Sequence, residues 1–493
     1  MERELIDQEI VRREKLNKLI ELGVRPFGQR YDVTHHTKDI IDTYDSFTKE
    51  QLAENPLTVK IAGRIVLKRG QGKAGFMHIQ DKLGRIQLYI RQDTISELDF
   101  EVYKLADLGD IIGVEGQLFR TNTNELTIKV YKYTHLSKAL RPLPEKYHGL
   151  QDVEETRRKR YLDLISNEDA REIAYTRPKI IRAFQQYFDS LGFVEVETPV
   201  LQPILGGATA RPFITHHNAL DMEFYLRIAT ELPLKKLIVG GMERVYEIGR
   251  LFRNEGMDST HNPEFTTVEA YQAYSDMEGM MDLMENSLKY VVKTVKNTSV
   301  INFDNQEIDF SKPFKRIHMV EAIKEVTGIN FFEDISLEEA KKLAKKHHVE
   351  LKPHFTIGHI IQEFFDEFVE KTIIQPTFVY GHPTSISPLA KKNEADERFA
   401  DRFELFILSA EYGNAYSELN NPIDQLERFK EQLKERQSGN LEANEIDYDF
   451  VEALEYGLPP TGGLGIGIDR FVMLVLNRQS IRDIILFPHL KEK

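Results

Sequence analysis

Two segments about two hundred residues apart constrain this chain most. The first is Arg250-Leu251-Phe252-Arg253-Asn254-Glu255-Gly256, running on to His261-Asn262-Pro263-Glu264-Phe265. The second is Gly462-Gly463-Leu464-Gly465-Ile466-Gly467-Ile468-Asp469-Arg470. The first reads as strand–loop–strand, and the second as a glycine-rich strand turning into a helix. Each sets an arginine beside a turn. Two fixed guanidiniums with acidic residues nearby suit a magnesium-bound nucleotide triphosphate. No G-x-x-x-x-G-K-[ST] loop occurs, so the phosphates must be held in another way.

Side-chain alternation sharpens this reading. If Phe265–Tyr271 is a strand, then Phe265, Thr267, Glu269 and Tyr271 share one face. A core strand would not bury Glu269 without a partner, whereas a binding floor would. Asn414, Tyr416 and Glu418 share a face of another strand, with Glu404 and Glu411 just before it. Glutamates seven apart, taken alone, read as one surface of a helix. Beside triphosphate oxygens they call for a cation, and Mg²⁺ takes one or two carboxylates plus substrate phosphates. Arg470 falls in the first turn after Gly463, Gly465 and Gly467, where the backbone can approach a ligand closely.

The 493 residues are too many for one ordinary core and imply two or three domains. A formal net charge of −14 argues against a non-specific nucleic-acid binder but leaves room for local basic patches. Candidate patches are Arg12, Arg13, Lys15 and Lys18; Lys68, Arg69 and Lys73; and Arg157, Arg158, Lys159 and Arg160, each of which by itself reads as a solvated face. Cysteine is absent, which excludes disulfides and thiolate metal sites. No apolar run is long enough to span a bilayer, and the start of the chain is charged and amphipathic, unlike a signal peptide. A cytoplasmic protein with no membrane partner is expected.

Residues 4–22 predict a helix ended by Gly23. Five strand-like runs follow, Thr58–Lys68, Gly75–Gln80, Arg85–Arg91, Asp110–Arg120 and Glu125–His135, with one helical interruption near Leu98–Leu105. That pattern matches an OB-fold barrel. Arg141–Glu145 is a Pro-rich linker. Beyond it, helix Ile173–Leu191 leads to a strand Phe193–Pro199. A helical stretch at about 276–375 holds a capping box, Ser336-Leu337-Glu338-Glu339, and no evident chemistry.

The two defining segments resemble motifs 2 and 3 of class II aminoacyl-tRNA synthetases, and Phe193–Pro199 resembles motif 1. Leu140–Leu150, Arg211–Asp221, Arg227–Leu232 and Ser387-Pro388-Leu389-Ala390-Lys391 look like bacterial-type class II lysyl-tRNA synthetases. The resemblance implies an α+β protein. Its parts would be a helical extension (1–57), an OB-fold anticodon-binding domain (58–140), a linker (141–160) and a catalytic domain (161–493) on a mainly antiparallel sheet flanked by helices. It implies Arg253 and Arg470 as catalytic residues, and an ATP site of those two with Glu255, His261, Phe265 and Glu404. Glu404 and Glu411 would hold Mg²⁺. Gly207, Glu231, Glu269, Tyr271, Asn414, Tyr416 and Glu418 would hold lysine, while Phe76, Gln87 and Glu125 would read the anticodon. The implied partners are tRNA(Lys), L-lysine, ATP and a second copy of the chain. Pro233, Thr260, Tyr412-Gly413 and Asn421 depart from the frequent family residues. An OB-fold RNA-binding protein, a lysine ligase with a protein acceptor, and an aspartate or asparagine enzyme are the alternatives. The first would not need Arg253, Glu269, Glu404 and Arg470 together, and the second would have no use for an anticodon domain.

Overall fold

The structure is a computed structural model describing residues 4–70, 72–82, 84–144, 152–352, 355–437 and 446–491. The expected linker residues Glu145–Leu150 fall outside that set. The chain divides into two compact units, Met1–Glu172 and Ile173–Lys493.

The first unit opens with helices α1 (Asp7–Glu21), α2 (Thr37–Tyr44) and α3 (Lys49–Glu54). It continues as β1 (Thr58–Arg69), β2 (Ala74–Gln80), β3 (Arg85–Arg91), α4 (Glu97–Leu105), β4 (Ile111–Arg120) and β5 (Leu126–Ser137). The strands close into a barrel in the order β1-β2-β3-β5-β4, as the five apolar-alternating runs require. Met77, Ile79, Leu88, Ile90, Ile128 and Val130 fill the interior. Their neighbours Phe76, Tyr89 and Phe119 point outward and are half-buried.

Two of the basic candidates in α1 serve this unit's own packing. Arg12 is buried and donates to the carbonyls of Leu108 (3.0 Å) and Ala139 (2.9 Å), and Lys15 pairs with Asp107. Lys68 caps α4 by donating to the carbonyls of Tyr103 (2.8 Å) and Ala106 (2.8 Å). Lys18, Arg69 and Lys73 remain exposed. The second half of the expected linker is helical, as α5 (Val153–Arg158), and α6 (Arg160–Ser166) starts at its end, with Arg160 buried against Asp163 at 2.7 Å.

Helix α7 (Glu168–Ser190) contains the boundary between the units. The second unit then adds β6 (Val194–Glu195), β7 (Leu201–Gln202), β8 (Ile214–His217), β9 (Met222–Leu226), α8 (Glu231–Val239), β10 (Arg244–Phe252) and β11 (Glu264–Ala273). The strand expected at Phe193–Pro199 is only two residues long. It pairs parallel to β10, and Thr198 ties its continuation to the same strand by donating through its N–H (3.1 Å) and hydroxyl (2.7 Å) to Glu247.

The stretch 276–375 carries α9 (Met277–Lys296), β12 (Val300–Phe303), β13 (Gln306–Asp309), β14 (Lys315–His318), α10 (Met319–Thr327), α11 (Leu337–Lys346) and α12 (Ile357–Phe368). The capping box forms as expected. The Glu339 N–H donates to the Ser336 hydroxyl, and the Ser336 N–H to the Glu339 carboxylate. This stretch holds more than helices, since β12 and β13 form a hairpin and β14 joins the main sheet. Its helix α9 buries Met280, Met284, Leu288 and Val291, at roughly 1.5–3 kcal/mol for each side chain.

The chain finishes with β15 (Thr377–Tyr380), β16 (Arg402–Ile407), β17 (Ala410–Ser417), α13 (Pro422–Gln437), α14 (Tyr448–Glu455), β18 (Thr461–Gly467), α15 (Ile468–Val475) and α16 (Ile481–Ile484). The main sheet runs β14-β15-β16-β17-β18-β11-β10-β6. Only its two outermost pairings, β14–β15 and β10–β6, are parallel. The expected mainly antiparallel sheet flanked by helices is therefore present.

Candidate active site

Strand register builds the site. Glu269 on β11 pairs with Gly465 on β18, Gly465 with Asn414 on β17, and Asn414 with Glu404 on β16. In the adjacent row Tyr271, Gly463, Tyr416 and Arg402 align in the same way. Paired residues in neighbouring strands point to one side, so two rows of polar side chains floor a single cavity of about 520 Å³.

Arg253, Glu255, His261 and Phe265 line this cavity from the β10–β11 hairpin, and Arg470 lines it from the start of α15. The Arg253 guanidinium lies 5.2 Å from the centre of the Phe265 ring. The backbone N–H of Arg253 donates to the carbonyl of Pro263 at 2.8 Å, fixing the mouth of the hairpin loop. Within that loop the Asp258 carboxylate accepts from the N–H groups of Thr260 (2.6 Å) and His261 (2.7 Å) and meets the His261 ring at 2.8 Å. Thr260 thus completes an Asx turn. Arg470 donates to the carbonyl of Glu411.

Glu404 and Glu411 do not share a helix surface. They lie on β16 and β17, joined by a two-residue turn at Leu408 and Ser409 with φ of 52° and 58°. A turn of that kind normally takes Asn or Gly. Here the N–H groups of Leu408 and Ser409 donate to the carbonyls of Ile374 (3.0 Å) and Ile373 (2.7 Å) and hold the tip. Glu404 pairs with Arg402, which is half-buried and also donates to the Ile386 carbonyl at 3.1 Å. Burial, and then the Glu404 charge, push the Glu411 carboxyl upward. Both carboxylates line the cavity, and Mg²⁺ with substrate phosphates needs no more protein ligands.

At the other end of the cavity stand Glu231 and Glu269, with Tyr271 and Tyr416. Glu269 accepts from the Thr230 N–H at 3.1 Å and from the Tyr271 hydroxyl at 3.3 Å. Burial, reinforced by Glu231, pushes its carboxyl up to about 7. Gly207 lines the same end with φ +86°, a backbone that strains any L side chain.

Glu418 lies behind this wall, only 2% exposed. Its Oε1 sits 2.0 Å from where a Cβ on Gly463 would stand and has no hydrogen-bond partner among the described residues. Gly463 therefore leaves room for protein groups, Glu418 and the Tyr271 ring, as well as for a ligand.

Three features escaped the sequence reading. Lys235 is fully buried, 2.6 Å from Glu231 and ion-paired with Glu418. Arg402 sits two residues before Glu404 on the same strand face, so alternation had already offered it. Asp469 accepts from the Thr266 N–H at 2.7 Å and pairs with Arg177, clamping α15 to β11. No local signal marks Arg177, which is 292 residues away.

On the outer face of the barrel, Phe76 and Tyr89 pack at a tilt of 31° with ring centres 4.9 Å apart, and Phe119 lies 6.0 Å from Tyr89. Gln87 is buried there and donates to the Thr127 hydroxyl at 2.9 Å, while Glu125 meets His78 at 3.0 Å. Phe76 is thus not a core residue.

An antiparallel sheet with an arginine at the mouth of its β10–β11 hairpin and another at the glycine-strand-to-helix turn defines a class. The family of class II tRNA synthetases for D, K and N matches residues 152–491, and the OB-fold nucleic-acid-binding domain matches 59–136. Proteins called lysine–tRNA ligase from Streptococcus pneumoniae (strain CGSP14) and Streptococcus agalactiae serotype V are each 59% identical over 489 residues. One from Bacillus cytotoxicus is 56% identical over 490 residues, with 99% of this chain and 98% of the relative covered. This chain belongs to the lysine–tRNA ligase family.

Proposed function

We propose that this protein activates L-lysine with ATP and transfers it to the 3′ end of its cognate tRNA. The observation that supports this reading is one cavity lined by Glu231 at the start of α8 and Glu269 on β11 together with Arg253 and Arg470. Lys235 answers Glu231 from within the protein, and Glu269, which has no ion-pair partner among the described residues, is left for a cationic side chain.

In the first step a carboxylate oxygen of lysine attacks the α-phosphorus of ATP. The bond to the bridging oxygen breaks, leaving lysyl-adenylate and pyrophosphate. A carboxylate with a pKa near ~4 is already ionised at neutral pH, so no side chain need remove a proton. The chain's contribution is positioning and charge: Arg253 at the α-phosphate, Arg470 toward the γ-phosphate, and Phe265 beneath the adenine. Glu255 and His261 complete the ATP site. Glu404 and Glu411 would hold Mg²⁺, which neutralises triphosphate charge when bound. Glu231, Glu269 and Glu418, with Tyr271, Asn414 and Tyr416, would receive the lysine side chain, and Gly207 its α-amino group. In the second step a ribose hydroxyl of the terminal adenosine attacks the adenylate carbonyl and AMP leaves. Pyrophosphate exchange with a panel of amino acids tests the reading. Exchange dependent on aspartate or asparagine in place of lysine would overturn it.

Lysine binding is expected to release protons. A raised carboxyl pKa, about 7 for Glu269, favours the neutral form near pH 7, whereas an ammonium ligand favours the ionised form. Lysine's KM should therefore fall as pH rises from 6 to 8. Titration calorimetry in buffers of different ionisation enthalpy measures the released protons, and heats independent of buffer would contradict the assignment.

Phe76, Gln87 and Glu125 are read as the anticodon contacts, supported by the outward aromatic pair. Phe76→Ala should remove stacking worth roughly 1–3 kcal/mol and weaken tRNA charging while lysine adenylation stays unchanged. Equal loss in both steps would point to misfolding.

A homodimer is supported by exposed apolar side chains around β6–β9, among them Val194, Leu201, Ile214 and Leu220. Light scattering measures the oligomeric state. No helix among the described residues is long and apolar enough to cross a membrane, and a cytoplasmic location is part of the same reading.

A further inference from the structure

Lys235 lies one helical turn beyond Glu231 on α8 and is 0% exposed. Its Nζ is 2.6 Å from Glu231 Oε1, pairs with Glu418 Oε2, and stands 5.8 Å from the centre of the Phe450 ring on α14. Glu269 and Tyr271 on β11 and Tyr416 on β17 are the further titratable groups coupled to these carboxylates. A buried lysine stem at this place would be replaced at little cost by a methionine if packing were its purpose. Its two ion partners, however, are carboxylates that the lysine-activating reading assigns to the substrate ammonium. One oxygen of Glu418 is taken by Lys235, and the other lies at Gly463 on the cavity wall with no hydrogen-bond partner among the described residues.

We propose that Lys235 is a specificity-determining positioning residue: its fixed ammonium, paired with one oxygen of Glu418, favours the charged form of that carboxylate and turns it so that its other oxygen meets the substrate's ammonium. The substrate then sees a near negative charge and a far positive one. Without Lys235, Glu418 takes up a proton and offers a neutral carboxyl. The two carboxylates outweigh burial and hold the Lys235 ammonium above its ordinary pKa, so it stays charged throughout the working range.

The inference rests on the lysine-activating reading, so lysine-dependent exchange by the unaltered protein is measured first; its absence would remove that reading irrespective of Lys235. Lys235→Met is then compared at pH 7 and pH 9 for the KM of lysine, the KM of ATP, and discrimination against 2-aminoheptanoic acid, where methyl replaces the ammonium. Lysine's KM should rise about tenfold at pH 7, the effect of losing one charge-assisted hydrogen bond, and the rise should shrink by pH 9 as Glu418 ionises. Discrimination against the methyl analogue should fall by a similar factor, with the KM of ATP unchanged. Lys235→Gln leaves a donor for the carboxylates and supplies a neutral variant should methionine prevent folding. Lys235→Arg should keep the pH profile of the unaltered protein. A folded Met or Gln variant with an unaltered lysine KM, pH profile and discrimination would overturn the proposal. So would an Arg variant that loses as much as Met, since charge would then not be what matters.

Discussion

Replacing Arg253 with alanine is expected to slow adenylate formation by about 10²-fold or more, the loss produced by removing one preorganised donor to a developing charge. Two features of the structure underlie the size of this effect. The guanidinium is held against the Phe265 ring at 5.2 Å, so little reorganisation is needed when the phosphate arrives. Its Nε is buried without a hydrogen-bond partner among the described residues, a donor left over by the protein itself. The loop does not rely on that guanidinium, because the backbone N–H of Arg253 makes the bond to Pro263 that fixes it. The variant should therefore melt like the unaltered protein while its pyrophosphate exchange collapses. Near-normal exchange in the folded variant would remove Arg253 from the α-phosphate.

Asp469→Ala should produce the largest loss of stability. The Asp469 side chain is 4% exposed and joins Arg177 on α7 to the Thr266 N–H on β11. Removing it leaves a guanidinium, 15% exposed, without its counter-ion and a buried N–H without its acceptor. Breaking a buried pair in this way costs about 3–5 kcal/mol. The chain has two units, so the quantity to measure is the midpoint of the transition belonging to Ile173–Lys493, followed by a probe in that unit. Adenylate formation should fall as well, because Arg470 is the next residue and its helix would lose its tie to β11. A transition midpoint equal to that of the unaltered protein would show that the clamp contributes nothing.

Local periodicity carried much of this protein's architecture. The five alternating runs of the barrel appear within one to two residues of their expected bounds, and their outward residue Phe76 was separable from inward Met77 by parity alone. Parity likewise set Glu269 with Tyr271, and Asn414 with Tyr416, on common faces. Where the same local spacing fits two structures, the sequence was ambiguous. Glutamates seven apart suit a helix surface, yet Glu404 and Glu411 flank a tight hairpin whose turn residues, Leu408 and Ser409, carry none of the usual turn chemistry and are held by Ile373 and Ile374 from elsewhere in the chain. The two-residue β6 also ran shorter than its apolar pattern suggested, because only Val194 and Glu195 find a partner strand.

The sequence by itself determined which residues share a face, which strand turns into which helix, and that arginines and carboxylates of this kind recur in the order of a known family. Those are consequences of the two-residue period of strands and the 3.6-residue period of helices. Only the tertiary structure decided which strands are neighbours, and so that Glu269, Gly465, Asn414 and Glu404 form one row. It also decided the fate of Lys235. A Glu231–Lys235 pair four apart is the ordinary pattern of a solvated helix face. The packing of α8 against β11 and α14, with Glu418 opposite, instead makes it a buried charge cluster. Spacing along a chain fixes direction, but whether a charge meets water or another charge depends on elements far away in sequence.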